Sequence, residues 1–209
     1  KWYRLDAVMR KWVKDIFDGQ RRLIPYAVCC LLVSALFAEA SANKPSEPPR
    51  AECPEIRFLA DDDFFPALTQ AIDASTREIF ICMFSFKAGV HPRSYPDRLI
   101  GHLSRACRRG VQIKVILEST GQSRDSLSAQ NLKTKELLEK IGAAVYMDSP
   151  KRTTHAKMIV IDGRQVFLGS HNFTSSALKY NREGSVQIRD EALAQTARRY
   201  MLSILEEAP

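Results

Sequence analysis

The stretch that decides the fold runs from residue 155 to residue 174 and reads HAKMIVIDGRQVFLGSHNFT. Two apolar runs separated by Asp162-Gly163 predict a pair of strands joined by a tight turn. His155 and Lys157 are two residues apart, so on a strand their side chains point to the same face. The hairpin therefore brings an imidazole, an ammonium, a hydroxyl and an amide to neighbouring strand ends, from His155, Lys157, Ser170 and Asn172.

This combination of side chains suits phosphoryl transfer. A neutral imidazole can attack phosphorus as a nucleophile. An ammonium, a hydroxyl and an amide can hold the oxygens on which negative charge develops in the transition state. Gly169, just before Ser170, permits a close approach of the backbone.

The pattern H-x-K-x4-D-x6-G-S-x-N resembles the signature of the phospholipase D superfamily, in particular its small single-motif secreted bacterial nucleases. Six residues match it in type and spacing: His155, Lys157, Asp162, Gly169, Ser170 and Asn172. The resemblance implies that superfamily's fold over essentially residues 55–206. It also implies a reaction that needs no metal ion or other cofactor.

The resemblance further implies a role for each candidate residue. His155 is the expected nucleophile and forms a phosphohistidine intermediate. Asp162, a member of the catalytic motif, has the more structural part of fixing the turn and its neighbouring strands. Glu183 is expected to orient the histidine through its second ring nitrogen. The substrate phosphate is bound by Lys157, Ser170 and Asn172.

The resemblance also implies that a second histidine protonates the leaving group, and the chain contains a single H-x-K motif. The other three histidines, His91, His102 and His171, are not followed by a lysine two residues later. We therefore predict a two-fold homodimer in which both copies of His155 face each other across the interface.

Three further residues are candidate substrate contacts. Lys151 and Arg152 precede His155 in a predicted loop, where they either contact the flanking phosphates of a polymer or are merely exposed charges. His171 stands at a variable position of the motif and could touch the substrate. Phe84 and Phe86 end an apolar strand near the expected site, and core packing is the expected role of at least one of them.

Strands and helices alternate along the domain. The predicted strands are 55–59, 78–86, 111–117, 143–147, 155–161, 165–168 and 184–188, and the predicted helices are 65–74, 97–109, 131–141 and 191–206. Asp61–Asp63 are expected to cap the first helix. The alternation predicts an α/β sandwich with a mixed, largely parallel central sheet flanked by helices.

Residues 1–42 resemble a targeting segment. A basic stretch is followed by an uncharged apolar run at 23–38 and by Ala40-Ser41-Ala42, a small-x-small site. A cleaved signal for secretion or the periplasm is the favoured interpretation, with a membrane anchor and a buried helix as alternatives. Residues 43–54 are predicted to be a linker, and residues 55–209 the catalytic domain.

Composition excludes several classes of protein. The chain has 209 residues, a net charge of +7 and ordinary apolar and charged fractions, so neither a disordered nor a collagen-like chain fits. Residues 1–42 contribute about three of those charges, which leaves a mildly basic domain. Cys82 is expected to be buried, and pairing of Cys53 with Cys107 stays open.

Three functions are compatible with these features. The first is a sequence-nonspecific endonuclease, secreted or periplasmic, that acts on DNA or RNA. The second is a phospholipase D that hydrolyses phospholipid head groups, of phosphatidylcholine or cardiolipin type. The third is a catalytically silent nucleic-acid-binding protein, which the intact His155 and Lys157 disfavour.

Overall fold

The computed structural model describes residues 53–121 and 125–207, so the predicted targeting segment lies outside the described residues. The strands are β1 (Glu55–Ala60), β2 (Glu78–Met83), β3 (Gln112–Leu117), β4 (Ala144–Met147), β5 (Lys157–Ile161), β6 (Gln165–Gly169) and β7 (Gly184–Arg189). The helices are α1 (Phe64–Ala74), α2 (Tyr95–Arg108), α3 (Ser126–Lys140) and α4 (Glu191–Glu207). A 3-10 turn at Asp61–Asp63 and a π-helical turn at Ser176–Tyr180 complete the set.

The strands form one mixed sheet in the order β1-β7-β6-β5-β2-β3-β4. The predicted α/β class with a mixed sheet is confirmed. The expectation of a largely parallel sheet is wrong, because only the pairs β2–β3 and β3–β4 are parallel and the other four are antiparallel. Strand–helix alternation holds for the first half of the domain, whereas β5, β6 and β7 follow one another without a crossover helix between them.

The sheet is buried on both faces at its centre. In β2, Ile79 and Ile81 pack against α1 and α2, while Phe80 and Cys82 belong to the cluster beneath α4. Alternate residues of a strand point to opposite faces, so burial on both sides explains why β2 is apolar throughout. Cys82 is fully buried, as expected.

The start of α3 and the cap of α1 differ from the prediction. α3 begins at Ser126 rather than at residue 131, because Asp125 caps it and accepts a hydrogen bond from the Ser128 N–H at 2.9 Å. Asp61–Asp63 do not cap α1 with their side chains. Asp61 instead has a φ of 47° and accepts a hydrogen bond from the Glu183 N–H at 2.8 Å.

Two further sequence questions have structural answers. Cys53 and Cys107 are both free thiols, so they do not pair in this structure. Within residues 53–121 and 125–207, no helix is long and apolar enough to cross a bilayer.

The sheet topology assembles one functional edge. The carboxyl ends of β2, β3, β4 and β6 meet there with the amino ends of β5 and β7, because β5 and β7 run antiparallel to their neighbours. His155 lies two residues before β5, and Ser170 follows β6 directly. The two parts of the sequence motif therefore meet at this edge.

Gly169 lies at the end of β6, where it packs closely against β7. A Cβ atom at this position would come within 2.1 Å of Ser185 Oγ, 2.4 Å of Ser185 Cα and 2.5 Å of the Gly184 carbonyl oxygen. Because two of these atoms belong to the backbone of β7, only glycine fits without moving the strand. The predicted close backbone approach is confirmed.

We expect Gly169→Ala to lower the free energy of unfolding by about 1–3 kcal/mol, since the added methyl group forces β6 and β7 apart. Urea denaturation measures this change. Gly101→Ala on α2 is the control, because a Cβ atom placed on Gly101 would lie 3.8 Å from Arg105 Nη1, an ordinary contact distance. This substitution should raise the free energy of unfolding by about 0.5–1 kcal/mol. An unchanged midpoint for Gly169→Ala would contradict the described β6–β7 packing.

Candidate active site

His155 and Lys157 contact each other at the start of β5. Lys157 Nζ donates a hydrogen bond to the His155 carbonyl oxygen at 2.7 Å and lies 3.1 Å from His155 Nε2. An ammonium has donors but no acceptor, so Nε2 presents its lone pair to Lys157. The ring proton of a neutral His155 then resides on Nδ1, and Nε2 is the nitrogen that can act as a nucleophile.

Phe84 forms the wall beside this pair. Its ring centroid lies 4.6 Å from that of His155, and Lys157 Nζ lies 5.0 Å from the Phe84 centroid. Phe86, two residues on, is fully buried and packs edge-on against Phe173. One of the two phenylalanines is therefore a core residue, as expected, and the other contacts the site.

Lys157 is only 7% exposed although it is charged. Burial lowers the pKa of its ammonium, and the nearby carboxylate of Glu183 opposes that shift in part. A poorly hydrated cation at this position attracts an incoming anion more strongly than a solvated lysine does.

Within one copy of the chain, the described hydrogen bonds of the Glu183 side chain go to residues other than His155. Its carboxylate accepts hydrogen bonds from Ser170 Oγ and from Asn181 Nδ2. Ser170 Oγ in turn accepts a hydrogen bond from the Gly184 N–H at 3.1 Å. The carboxylate is thus held at the start of β7, and its electrostatic influence falls on Lys157.

Asn172 has an incomplete set of hydrogen bonds. Its Oδ1 atom is buried and has no hydrogen-bond partner within the described part of the chain. The following residue, Phe173, bonds through its N–H to the Ser85 carbonyl at 2.9 Å, which fixes this segment against the end of β2. A buried polar atom without a partner is costly, and rotation of the amide would place its N–H donors at the same point.

Asp162 lies at the far end of β5, about 17 Å of strand away from Lys157. Its carboxylate accepts hydrogen bonds from the N–H groups of Thr76 (3.0 Å), Arg77 (2.8 Å) and Glu78 (3.1 Å). It therefore connects the β5–β6 turn to the segment before β2. This is the structural part expected of Asp162, and it excludes direct contact with a substrate bound at His155.

His171 is buried, so the expectation that it could touch the substrate is wrong. Its ring stacks on Phe64 with centroids 4.2 Å apart. Nδ1 lies 2.7 Å from Ser185 Oγ, and Nε2 lies 2.8 Å from the Asp61 carbonyl oxygen. Both ring nitrogens are occupied by protein groups.

Lys151 and Arg152 are exposed in the loop before His155. Arg152 and His155 line the same cavity of about 100 Å³, together with residues from the carboxyl end of α4. The α4 residues Tyr200 and Glu207 had not been predicted as part of the site, because a helix following β7 gives no sequence signal that its far end returns to His155.

A pair of buried acidic residues also lies beside His155. Glu118 and Asp148, 1% and 4% exposed, follow β3 and β4 at the functional edge. Sequence reasoning did not single them out. Their signal was present, since each is a charged residue directly after a predicted strand. Elsewhere, His102 pairs with Asp73. Within the described residues, no group of three or more His, Cys, Asp or Glu side chains is arranged to hold a metal ion.

A sequence model described as "Cardiolipin synthase, PLD-like domain" matches residues 68–205. The chain belongs to this phospholipase D-like family. The match includes every residue of the His155–Asn172 motif and Glu183. Membership agrees with the resemblance that the motif indicates.

Curated relatives in the phospholipase D-like family include a phospholipase D of Rickettsia bellii, 35% identical over 108 residues, which are 51% of this chain and 51% of that protein. A mitochondrial cardiolipin hydrolase of Canis lupus familiaris is 26% identical over 167 residues, 80% of this chain and 58% of that protein. The chain spans about half the length of the Rickettsia relatives that it matches.

Solved structures of the phospholipase D-like fold superpose on the domain. Nuc from Salmonella typhimurium, a phospholipase D family member, has a TM-score of 0.63 at 22% identity and covers 75% of this chain and 97% of its own. NucT from Helicobacter pylori has a TM-score of 0.61 at 19% identity and covers 75% and 98%. At these identities the likeness shows the shared fold.

We expect Asp162→Ala to lower the free energy of unfolding at neutral pH by about 1–3 kcal/mol, because backbone N–H groups lose their acceptor. Burial raises the pKa of Asp162, but the N–H groups of Arg77, Thr76 and Glu78 outweigh it, so the net shift is downward. The stabilisation is therefore present above the unfolded pKa of about 3.9 and is lost as pH falls through the lowered folded pKa.

Denaturation midpoints of wild type and Asp162→Ala between pH 3 and pH 7 check this prediction. Asp162→Asn is the matched control, since asparagine tolerates the φ of 54° and keeps one acceptor oxygen. Its loss at neutral pH should be smaller, and the stability difference between Asp162→Asn and Asp162→Ala should not change with pH, because neither variant carries the carboxyl. A stability gap between wild type and Asp162→Ala that is equal at both ends of the range would contradict this role.

Proposed function

We propose that the chain is a metal-independent phosphodiesterase with His155 as its nucleophile. The observation that carries the proposal is the convergence at one sheet edge of His155, Lys157, Ser170 and Asn172. Nucleophile, cation and hydrogen-bonding groups are the parts that phosphoryl transfer requires. Family membership supports the same chemistry.

In the first step, the lone pair of His155 Nε2 attacks phosphorus and the bond to the leaving oxygen breaks. Lys157 now shares that lone pair at 3.1 Å. An incoming phosphodiester draws the ammonium towards its own oxygens and frees Nε2 for attack. The leaving alcohol takes a proton from a second histidine, which becomes neutral.

In the second step, water attacks phosphorus and the P–N bond breaks. The neutral second histidine accepts the proton of that water, so the enzyme returns to its starting state. Charge that develops on the phosphoryl oxygens is stabilised by Lys157 and by the amide of Asn172. Asn172 follows Ser170 by two residues after β6, at the same edge of the sheet, which supports this role.

We propose nucleic acid as the substrate, cleaved without sequence preference. His155 and Ser170 are exposed at an open edge of the sheet, which gives a long polymer access. Lys151 and Arg152 lie in the loop beside His155, where they can bind the phosphates that flank the cleaved bond. We also propose export through residues 1–42 to the periplasm or the exterior.

Phospholipid is the second candidate substrate, and the names of the relatives favour it. Proteins called phospholipase D and mitochondrial cardiolipin hydrolase match large parts of the domain. A head-group phosphodiester presents the same phosphorus chemistry to His155 as a nucleic acid does.

We expect the purified chain to cleave plasmid DNA and single-stranded RNA in EDTA, and His155→Asn to reduce the rate by about 10³-fold or more. Gel electrophoresis measures the cleavage. His102→Asn is the control, because that histidine bonds to Asp73 on the surface and should be dispensable.

Vesicles of phosphatidylcholine and of cardiolipin in the same buffer separate the other candidates. Head-group release without DNA cleavage would establish the phospholipase and overturn the nuclease. Salt-sensitive DNA binding with neither substrate cleaved would point to the silent binding protein.

We further propose that the second histidine is His155 of another copy of this chain. Within one copy the alternatives are poor. His171 is buried with both nitrogens occupied, and His102 bonds to Asp73. His91 Nδ1 accepts a hydrogen bond from the Arg93 N–H at 3.2 Å.

An apolar surface next to the site supports this dimer. On the sheet face that carries α4, Ile56 and Phe58 of β1 are 63% and 68% exposed, and Leu168 of β6 is 42% exposed. Phe58 and Leu168 lie opposite Val186 on either side of β7, so the three side chains form one row. A Cβ atom placed on Gly184 would lie 3.2 Å from Phe58 Cζ, and Gly184 bonds to Ser170, so this row extends to the edge that carries Ser170.

We expect mixtures of wild type and His155→Asn to lose activity faster than the wild-type fraction falls. After subunit exchange at equal amounts, a shared site predicts about one quarter of the wild-type rate, whereas independent sites predict about one half. Phe58→Asp should yield monomers by light scattering and abolish activity.

His91→Asn is the control for this dimer and should leave the rate unchanged. Strict proportionality in the mixtures would contradict the shared site. An active monomer would also contradict it. The same holds for a Phe58→Asp variant that no longer binds vesicles but still forms dimers.

A further inference from the structure

We infer that Glu118 is a positioning residue for His155, acting by holding the backbone N–H of Thr154 in a buried hydrogen bond. The inference rests on the proposed nucleophilic role of His155 and adds to it a residue outside the motif. The carboxylate of Glu118 bonds to Thr154 and does not line the cavity that His155 borders. It acts on the residue that precedes His155 in the chain.

The contact is short and shielded from water. Glu118 Oε2 accepts the hydrogen bond of the Thr154 N–H at 2.6 Å. Both residues are buried, whereas the His155 side chain is exposed. An exposed ring has few packing contacts of its own, so the direction of its Cα–Cβ bond depends on how firmly the backbone is fixed.

Glu118 is also connected, through Asn131, to Phe84, whose ring packs beside His155. Asn131 of α3 donates hydrogen bonds to the carbonyl oxygens of Glu118 (3.0 Å) and Phe84 (2.8 Å). Its Oδ1 accepts the Phe86 N–H at 2.9 Å. Phe84 is the residue whose ring packs against His155. Backbone and wall of the nucleophile are therefore tied to one connected network of hydrogen bonds.

The charge of Glu118 is costly, which a purely structural acceptor would avoid. Burial raises the pKa of its carboxyl, the Thr154 N–H opposes the rise, and the nearby Asp148 and Asp125 add to it. Cys82, also nearby, is a thiol whose pKa burial raises to about 12. Within the described residues no lysine or arginine forms an ion pair with Glu118. Costly buried groups of this kind concentrate at functional sites.

The test compares three variants of the full chain in the hydrolysis of bis(4-nitrophenyl) phosphate, a small diester that needs no polymer contact. Glu118→Ala removes the acceptor, and we expect kcat to fall about 10- to 100-fold with little change in KM, because the nucleophile is misplaced. Glu118→Gln offers Thr154 the same acceptor oxygen and should keep kcat within about threefold of wild type.

Thr134→Val is the matched control. Thr134 is equally buried and also holds a loop N–H, that of Ala88, but it does not bond to Thr154. We expect it to lower the melting temperature and to leave kcat unchanged. Loss of kcat in Glu118→Ala alone then reports positioning rather than general loosening of the fold.

Several outcomes would overturn the inference. A wild-type kcat in Glu118→Ala, or an equal loss in Thr134→Val, would show that Glu118 does not position His155. If Glu118→Ala fails to fold, Glu118→Asp decides, since its shorter side chain withdraws the acceptor but keeps the charge, and an unchanged kcat would again overturn it.

The His155→Asn variant tests the proposed function independently of the role of Glu118. Full activity in His155→Asn would remove the nucleophile whatever Glu118 does. Faster exchange of the Thr154 amide proton in Glu118→Ala than in Glu118→Gln would still show that the hydrogen bond exists.

Discussion

The antiparallel pairing of β5 with β2 is the contact on which the site depends. Its register sets Lys157 opposite Met83. The chain continues from Met83 into Phe84, whose N–H bonds to the Ala156 carbonyl at 3.1 Å and whose ring thereby lies beside His155. A slip of one residue would turn Lys157 to the other face of the sheet. Apolar side chains buried on both faces of β5 and β2 resist that slip, so burial in the core holds Lys157 and Phe84 beside His155.

The alternation of buried strands and amphipathic helices was sufficient to predict the fold class, but not the direction of every strand. Parallel pairing follows from a crossover helix, and the sequence shows such helices between β2, β3 and β4. In the second half the chain returns through turns, which makes β5, β6 and β7 antiparallel. The start of α3 was missed because Asp125 lies in a polar stretch, and an N-cap is visible in a sequence only when an apolar pattern follows at once.

The motif was sufficient to bring four side chains together, because both of its halves lie on one hairpin. It could not show which contacts form between elements distant in sequence. Ser170 donates a hydrogen bond to the carboxylate of Glu183, the residue that was expected to orient His155. The stacking partner of His171 is Phe64, more than a hundred residues earlier in the chain. Glu118 bonds to Thr154 across 36 residues of sequence, and no spacing rule connects the two.

The spacing of the motif is a measure of strand length. β5 and β6 have five residues each, so the chain that leaves Lys157 and turns at Asp162 comes back to the starting edge at Ser170. Lengthening either strand alone would carry Ser170 and Asn172 away from His155. Asp162 fixes the turn by accepting hydrogen bonds from three backbone N–H groups, those of Glu78 at the start of β2 and of the two residues before it. Gly169 lets β6 pack closely against β7 at the other end. Two of the six motif residues thus set the length and seating of the hairpin, and the other four use the edge that it creates.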